Sequence, residues 1–377
     1  MKKGLDHVKP FAFIAVSALG GLLVSLTGLP IGWMIGTLLT ATVLSIFFPH
    51  LINLPQSYNG LPKYWLYIGQ LILGIELGQR VNSTVISVFH DNWLTVIIML
   101  LLSVVISLIT GLFLWKYSKL DMLTSFFATT PGGLSSIPVI AEEFGANTGV
   151  VSIVQTLRAF MVILIIPIVI TVWFGHTIPA SLVTVETIFQ PQQIAVTLLF
   201  AGIAVIGCYA GKLLKLPAPW LIGSMISIAL MKTLGTVLIG YEFISWWPAS
   251  LLIISQILIG ASIGSRFTKE MFAGLTRTLF VSFVSIWGLI IAMFACAFAV
   301  SRFTDITFLT SGLAFAPGGI AEMSTTALVL NGDATFVVAV QVLRVIMVSI
   351  SLPPLFRFLR YVEQRKTSIF LRSKQAH

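Results

Sequence analysis

Val154-Gln155-Thr156-Leu157-Arg158, inside one apolar run, and Val340-Gln341-Val342-Leu343-Arg344, inside another, decide how this sequence is read. The two stretches lie 186 positions apart. Working outward at the same offset, Pro131-Gly132-Gly133 matches Pro317-Gly318-Gly319, Gln70-Leu71-Ile72-Leu73-Gly74 matches Gln256-Ile257-Leu258-Ile259-Gly260, Arg80 matches Arg266 and Pro167 matches Pro353. Leu29-Pro30-Ile31-Gly32-Trp33-Met34-Ile35-Gly36 matches Leu216-Pro217-Ala218-Pro219-Trp220-Leu221-Ile222-Gly223 at an offset of 187. Landmarks that share one offset, with a single-residue slip, mark a tandem duplication. The chain divides into a first repeat over residues 1–175, a second over 190–357 and a basic tail over 358–377.

Composition says where such a chain lives. Of its 377 residues 57% are hydrophobic and 9% charged, with a mean hydropathy of +1.01. A soluble domain carries about a quarter of its residues as charges. Apolar runs near the ~20 residues needed to cross a bilayer recur from Phe11 to Phe356. In the first repeat they cover roughly 11–27, 31–48, 64–78, 93–115 and 148–174, and in the second 192–213, 219–238, 249–264, 277–300 and 334–356. Cys208 and Cys296 both lie inside such runs and read as small core side chains. The run after Lys2, Lys3 and Lys9 has a counterpart in the second repeat, so it reads as a retained first span and not a signal peptide.

Between the fourth and fifth runs of each repeat lies a shorter piece, Asp121 to Gly145 and Thr307 to Asn331, split by Pro-Gly-Gly. Proline removes a backbone donor and glycine adds chain entropy, so a helix stops there. The piece either crosses as a broken helix or re-enters as a hairpin. Lys and Arg collect in cytoplasmic loops, which tests the choice. A re-entrant hairpin places 17 Lys and Arg on one side with only Arg80 and Arg302 on the other; a crossing piece gives 13 and six. The sequence is therefore expected to be all-α and polytopic. It reads as two inverted-topology repeats, each of five transmembrane helices plus one broken, re-entrant hairpin, with both termini cytoplasmic.

The chemistry gathers at the breaks. Arg158 and Arg344 sit about 15 Å into their spans, close to the midplane. A bare Arg there costs roughly 2.5–3.5 kcal/mol, so each needs a partner or a watery cavity. Gln155 and Gln341, three residues earlier, share the same helix face. One reading is recognition of an anionic or strongly polar solute by the planar guanidinium fork. The other is that each Arg caps carbonyls freed by the neighbouring break. The candidate solute site comprises Arg158, Arg344, Gln155, Gln341, Thr130, Pro131, Gly132, Gly133, Pro317, Gly318 and Gly319. Half-helices that begin at each Gly-Gly would aim their positive ends at it. Glu322, three residues after Gly319, is a candidate proton or cation site, or a salt-bridge partner for an intramembrane Arg; its counterpart is Ser136. Asn147 and Asp333 read as N-caps of the Arg-bearing helices.

Leu-Pro-x-x-Trp-x-Ile-Gly at Leu29 and its variant at Leu216, Thr/Ala-Pro-Gly-Gly at Thr130 and Ala316, and Gln-x-Leu-Arg at Gln155 and Gln341 resemble the AbrB-type duplicated membrane protein family over nearly the whole chain. The resemblance implies a multi-pass protein of the bacterial inner membrane. Family members carry labels as different as ammonia monooxygenase and regulator of gene expression. His7, His50, His90, His176 and His377 are scattered, and neither Cys has a partner ligand nearby, so no enzyme, metal or cofactor is expected. The basic stretch from Arg357 to His377 is too short to fold as a DNA reader, so no direct nucleic-acid contact is expected either. The expectation is a secondary transporter of a small polar or anionic solute, in contact with the lipid bilayer and open to homo-oligomer formation. The alternative is a membrane sensor acting indirectly on gene expression.

Overall fold

In a computed structural model the described residues are 2–29, 31–49, 60–81, 91–131, 137–174, 191–240, 243, 245–272, 275–348, 350, 351 and 354. Among them there is no strand. The helices fall into two series of seven. The first series is α1 (Lys2–Ser25), α2 (Gly32–Phe47), α3 (Lys63–Arg80), α4 (Trp93–Ser118), α5 (Met122–Thr129), α6 (Ile137–Glu143) and α7 (Thr148–Phe174). The second is α8 (Pro191–Leu213), α9 (Pro219–Leu234), α10 (Ala249–Gly264), α11 (Thr276–Phe303), α12 (Phe308–Phe315), α13 (Ile320–Val329) and α14 (Ala334–Val348). The order of long, short and broken elements repeats as the internal offset requires. The join and the basic tail lie outside the described residues.

Five of the ten apolar runs form helices long and apolar enough to cross a membrane. They are Trp93–Ser118, Thr148–Trp173, Gln193–Leu213, Pro219–Leu238 and Thr276–Phe303. The fourth of these continues α9 through a π-helical turn, Gly235–Ile239. The chain is thus a membrane-type helical protein. Among the described residues, Gly32–Phe47, Ala249–Gly264 and Ala334–Val348 are shorter apolar helices. At 16 residues, α2 and α10 reach only ~24 Å, less than the ~30 Å of the hydrocarbon core. These two lie in the middle of the protein, where each packs on partners from both halves. The long α4, α8 and α11 lie outside, and Ile109, Ile206, Phe280 and Ile291 on them are exposed. Large apolar side chains exposed along whole helices are what a lipid-facing surface needs.

The two halves are built into each other. The α2 helix packs on α10 and α9 on α3, and the two crossings use equivalent residues. The Ser45 hydroxyl donates to the Ser265 carbonyl at 3.1 Å, and at the equivalent place the Lys232 ammonium donates to the Gln79 carbonyl at 2.8 Å. Inside each half, α1 meets α2 and α8 meets α9 through glycines: a Cβ on Gly36 would lie 2.1 Å from the Gly20 carbonyl oxygen, and one on Gly223 would lie 2.3 Å from that of Gly207. Only a residue without Cβ allows so close a backbone approach.

Equivalent helices also meet directly. The Ser255 hydroxyl on α10 donates to the carbonyl of its counterpart Gly69 on α3 at 2.8 Å. Leu61, ahead of α3, donates its N–H to Ser265, just past the end of α10, at 2.8 Å. The start of α3 therefore lies at the end of α10, and the two run antiparallel. The same holds for α4 and α11: Ser285 reaches the Thr110 carbonyl at 3.4 Å and Arg277, at the start of α11, reaches the Tyr117 carbonyl, at the end of α4, at 2.9 Å. One apolar core runs through both halves, from Met34 and Leu73 to Ile259, Phe315 and Val337.

The Gly69–Ser255 contact gives a direct check. In a Cys208→Ser, Cys296→Ser background, Gly69→Cys with Ser255→Cys should crosslink on mild oxidation. The halves should then stay joined after cleavage at a protease site engineered into the segment between residues 175 and 190. Separation of the halves under oxidising conditions would refute the antiparallel pairing.

Candidate functional site

Each break begins with a capped half-helix. The Asp121 carboxylate accepts the Thr124 N–H at 2.8 Å to start α5, and the Thr307 hydroxyl accepts the Thr310 N–H at 3.3 Å to start α12. Both helices run eight residues and stop one residue short of the Thr130-Pro131 and Ala316-Pro317 bonds. The backbone then turns extended, with ψ of 130° at Thr130 and at Ala316. The last carbonyls of each half-helix consequently have no amide ahead of them, and the apolar surroundings supply no water.

The buried polar side chains of α7 and α14 satisfy those carbonyls. Nη1 of Arg158 donates to the Thr129 and Thr130 carbonyls at 2.9 and 3.0 Å. Nη1 of Arg344 donates to the equivalent Phe315 and Ala316 carbonyls at 3.2 and 2.7 Å. Its Nη2 reaches the Gly318 carbonyl at 3.3 Å and also bonds the Gln341 side-chain oxygen. Gln155 donates to the Phe127 carbonyl at 3.0 Å, and Gln341 to its counterpart Leu313 at 2.9 Å and to Ala316 at 3.0 Å. The amide and guanidinium three residues apart thus lie on one face and act on one break. Of the two readings open from the sequence, carbonyl capping describes what Nη1 of each arginine does.

Capping leaves part of each guanidinium over. Nε of Arg158 and Nε of Arg344 are buried and have no hydrogen-bond partner. The two arginines are close enough for the Arg158 charge to act on Arg344. Among the described residues the one ion pair is Glu76 with Arg80 at 2.8 Å, away from both. Arg158 also lines a narrow crevice between α4, α5 and α7 of the first half and α11 of the second. Its polar wall is Thr110, Thr129, Ser282 and Ser285, and the Ser282 hydroxyl has no partner. Arg344 does not line this crevice.

Pro131 and Pro317 are buried at the break points, and a Cβ on Gly318 would come 3.0 Å from Val162, one turn beyond Arg158 on α7. The second break therefore packs against the helix that serves the first. Gly132 and Gly133 lie outside the described residues. In the second half the helix after the break starts at Ile320 with Gly319 as its cap, as expected for a half-helix beginning at Gly-Gly. In the first half residues 132–136 lie outside the described ones, and the helix is described from Ile137.

Glu322, in the first turn of α13, is 7% exposed, and its Oε2 has no hydrogen-bond partner. The positive charge that reaches it is Arg266, which follows α10. The intramembrane arginines, which the sequence offers as partners for Glu322, serve the breaks instead. Asn147 and Asp333 cap α7 and α14, accepting the Val150 and Phe336 N–H groups at 3.1 and 2.9 Å. Two residues went unnoticed in the sequence. The hydroxyls of Thr124 and Thr310 accept the N–H of Asn147 and Asp333 at 2.9 and 3.2 Å, tying the start of each half-helix to the start of each Arg-bearing helix. They also stand 186 apart, which was the available signal.

Without Arg158 the Thr130 carbonyl loses its donor, while the Ser107 hydroxyl still serves Thr129; without Arg344 the Phe315 and Gly318 carbonyls lose theirs, while Gln341 still serves Ala316. At ~1–3 kcal/mol for each orphaned carbonyl, Arg158→Gln should lose about 1–3 kcal/mol of stability and Arg344→Gln about 2–6 kcal/mol, read as a lower melting temperature in detergent. The Lys variants should lose less. Melting curves of the Gln variants that overlay the wild type would refute the capping role.

The family described as transition state regulatory protein AbrB matches residues 57–360. The uncharacterized protein YhjN of Bacillus subtilis strain 168 is 46% identical over 372 residues, 97% of either chain. A protein of Escherichia coli K12 that bears the name of a candidate regulator, AbrB, is 28% identical over 299 residues, 79% of this chain and 84% of its own. The matched region contains α3 to α14 and both arginine-capped breaks, and the chain belongs to the AbrB family.

Proposed function

We propose that the chain is a secondary transporter of a small anionic or strongly polar solute, bound between the two arginine-capped breaks, and not an enzyme. One observation carries this reading: two buried guanidinium groups cap equivalent breaks, each keeps an unpartnered Nε–H, and no carboxylate pairs with either among the described residues. Carbonyl dipoles offset only part of the cost of two like charges at low dielectric. An anionic solute would supply the missing countercharge and take up the free donors, and Arg suits carboxylate or phosphate oxygens.

The antiparallel pairing of α3 with α10 and of α4 with α11 supports the second half of the proposal. A two-fold that makes equivalent membrane helices antiparallel lies in the plane of the membrane, which is the relation between inverted repeats. Five crossings and one re-entrant hairpin per half would then put both termini in the cytoplasm, in a bacterial inner membrane. Alternating exposure of a site between two such halves needs only that one rock against the other.

Two measurements follow. In intact cells a membrane-impermeant thiol reagent should label Thr184→Cys and spare Arg277→Cys; labelling of position 277 from outside would remove the inverted arrangement. In proteoliposomes, uptake should appear for some member of a panel of small carboxylates, phosphate and sulfate. Arg158→Lys with Arg344→Lys should reduce it by about tenfold, the equivalent of one lost charge-assisted bond. Saturable binding without flux would instead favour a sensor.

A further inference from the structure

The molecule has a second place where the charges are left unsettled, at the end of the break opposite Arg344. Glu322 is the one ionisable residue on α13, and it is more than nine-tenths buried. Its side chain folds back on the helix start: a Cβ on Gly319 would sit 1.9 Å from the Glu322 Oε2. Glycine at 319 is thus what leaves room for the carboxyl. That same Oε2 has no donor. A carboxylate shut away with an unsatisfied oxygen costs several kcal/mol, and a proton removes that cost.

The surroundings hold few competing charges. The α13 helix packs on α3, α7, α10 and α12, and the Arg344 guanidinium of α14, committed to the break, bonds the Gly318 carbonyl just ahead of it. Within α10 and α12 there is no ionisable side chain. On α7 the Arg158 guanidinium is committed to its own break. On α3, Glu76 is paired with Arg80, and Lys63, Tyr64 and Tyr67 lie toward its first turns. Beside its own backbone N–H, the group that acts on Glu322 is Arg266, from beyond ion-pair distance, and Tyr67 acts in turn on Arg266. Glu322 therefore has one route to each charge state: a proton where it lies now, or a shift that brings Arg266 within bonding reach.

We propose that Glu322 is a proton-binding site, protonated while folded against Gly319 and ionised when it meets Arg266. It lies where α13 of the second half touches α3 and α7 of the first, so a rocking of the halves would change the Glu322–Arg266 separation. The equivalent position in the first repeat is Ser136, which has no acid to titrate. The device is single, and on the transport reading it would couple one proton to each cycle. The protonation itself does not depend on that reading.

Infrared spectroscopy of the purified full chain in lipid nanodiscs, without any solute, tests this. The wild type should show the C=O stretch of a protonated carboxylic acid that disappears as the pH is raised. Glu322→Gln should lack that band, and Glu322→Asp should retain one. In Arg266→Gln the loss of the band should move to higher pH by about one unit, because a neighbouring positive charge favours the carboxylate. Gel filtration and melting curves identify variants that fail to fold, and the wild-type titration stands without them. A wild-type spectrum with no titrating carboxylic-acid band, or a band unchanged in Glu322→Gln, overturns the proposal. Neither result bears on whether solute is carried, which the uptake assay reads separately.

Discussion

A backbone carbonyl at membrane depth must find its donor inside the protein, and the architecture of this chain follows from that constraint applied twice. Pro131 and Pro317 end a helix where lipid and packed side chains leave no water. The freed carbonyls then need donors that reach sideways from another helix. A guanidinium meets the need because one Nη can serve two adjacent carbonyls, as Arg158 does at Thr129 and Thr130 and Arg344 at Phe315 and Ala316. Its positive charge also strengthens each bond. Lys could reach the same place as a point charge but lacks the fixed fork.

Satisfying the breaks this way has a consequence for function. The donors that cap the carbonyls bring two positive charges into one low-dielectric region, with a free Nε–H on each. The capping role and the binding role are therefore not rivals. The carbonyls hold the guanidinium groups rigid and aimed, and rigid, aimed donors are what a small anion recognises best. The α2, α3, α9 and α10 helices cross each other at the centre through glycines and small residues, while each break lies against the Arg-bearing helix of its own half.

Much of this was legible because duplication writes each feature twice. The offset between Arg158 and Arg344 located the breaks, the Gln-Arg face and the Asn147 and Asp333 caps, since all of these depend on residues close in sequence or at fixed helical spacing. Contacts between halves were not legible. Nothing in the local pattern says that Ser45 meets Ser265 or that Lys232 caps α3 at Gln79, because those pairs are set by how helices cross. For the same reason Arg266 read as a loop charge and not as the neighbour of Glu322. Thr124 and Thr310 were overlooked because a Thr in an apolar helix looks like packing until its partner is known. Span length, finally, was not legible at α2 and α10: these central 16-residue helices have partners from both halves around them, and protein demands less length than lipid.

The central claim is that the guanidinium groups left over from capping meet the solute, and their Nε–H resonances report on it directly. In arginine-labelled protein in nanodiscs, the signals of Arg158 and Arg344 can be assigned from their Lys variants and followed as inorganic phosphate, sulfate and short mono- and dicarboxylates are added. The account predicts that one class of anion shifts both resonances together with a single saturating midpoint. It also predicts that Arg80, Arg277 and Arg302, which lie away from the breaks, stay in place. Shifts confined to those arginines, or two buried resonances that no anion moves, would contradict it.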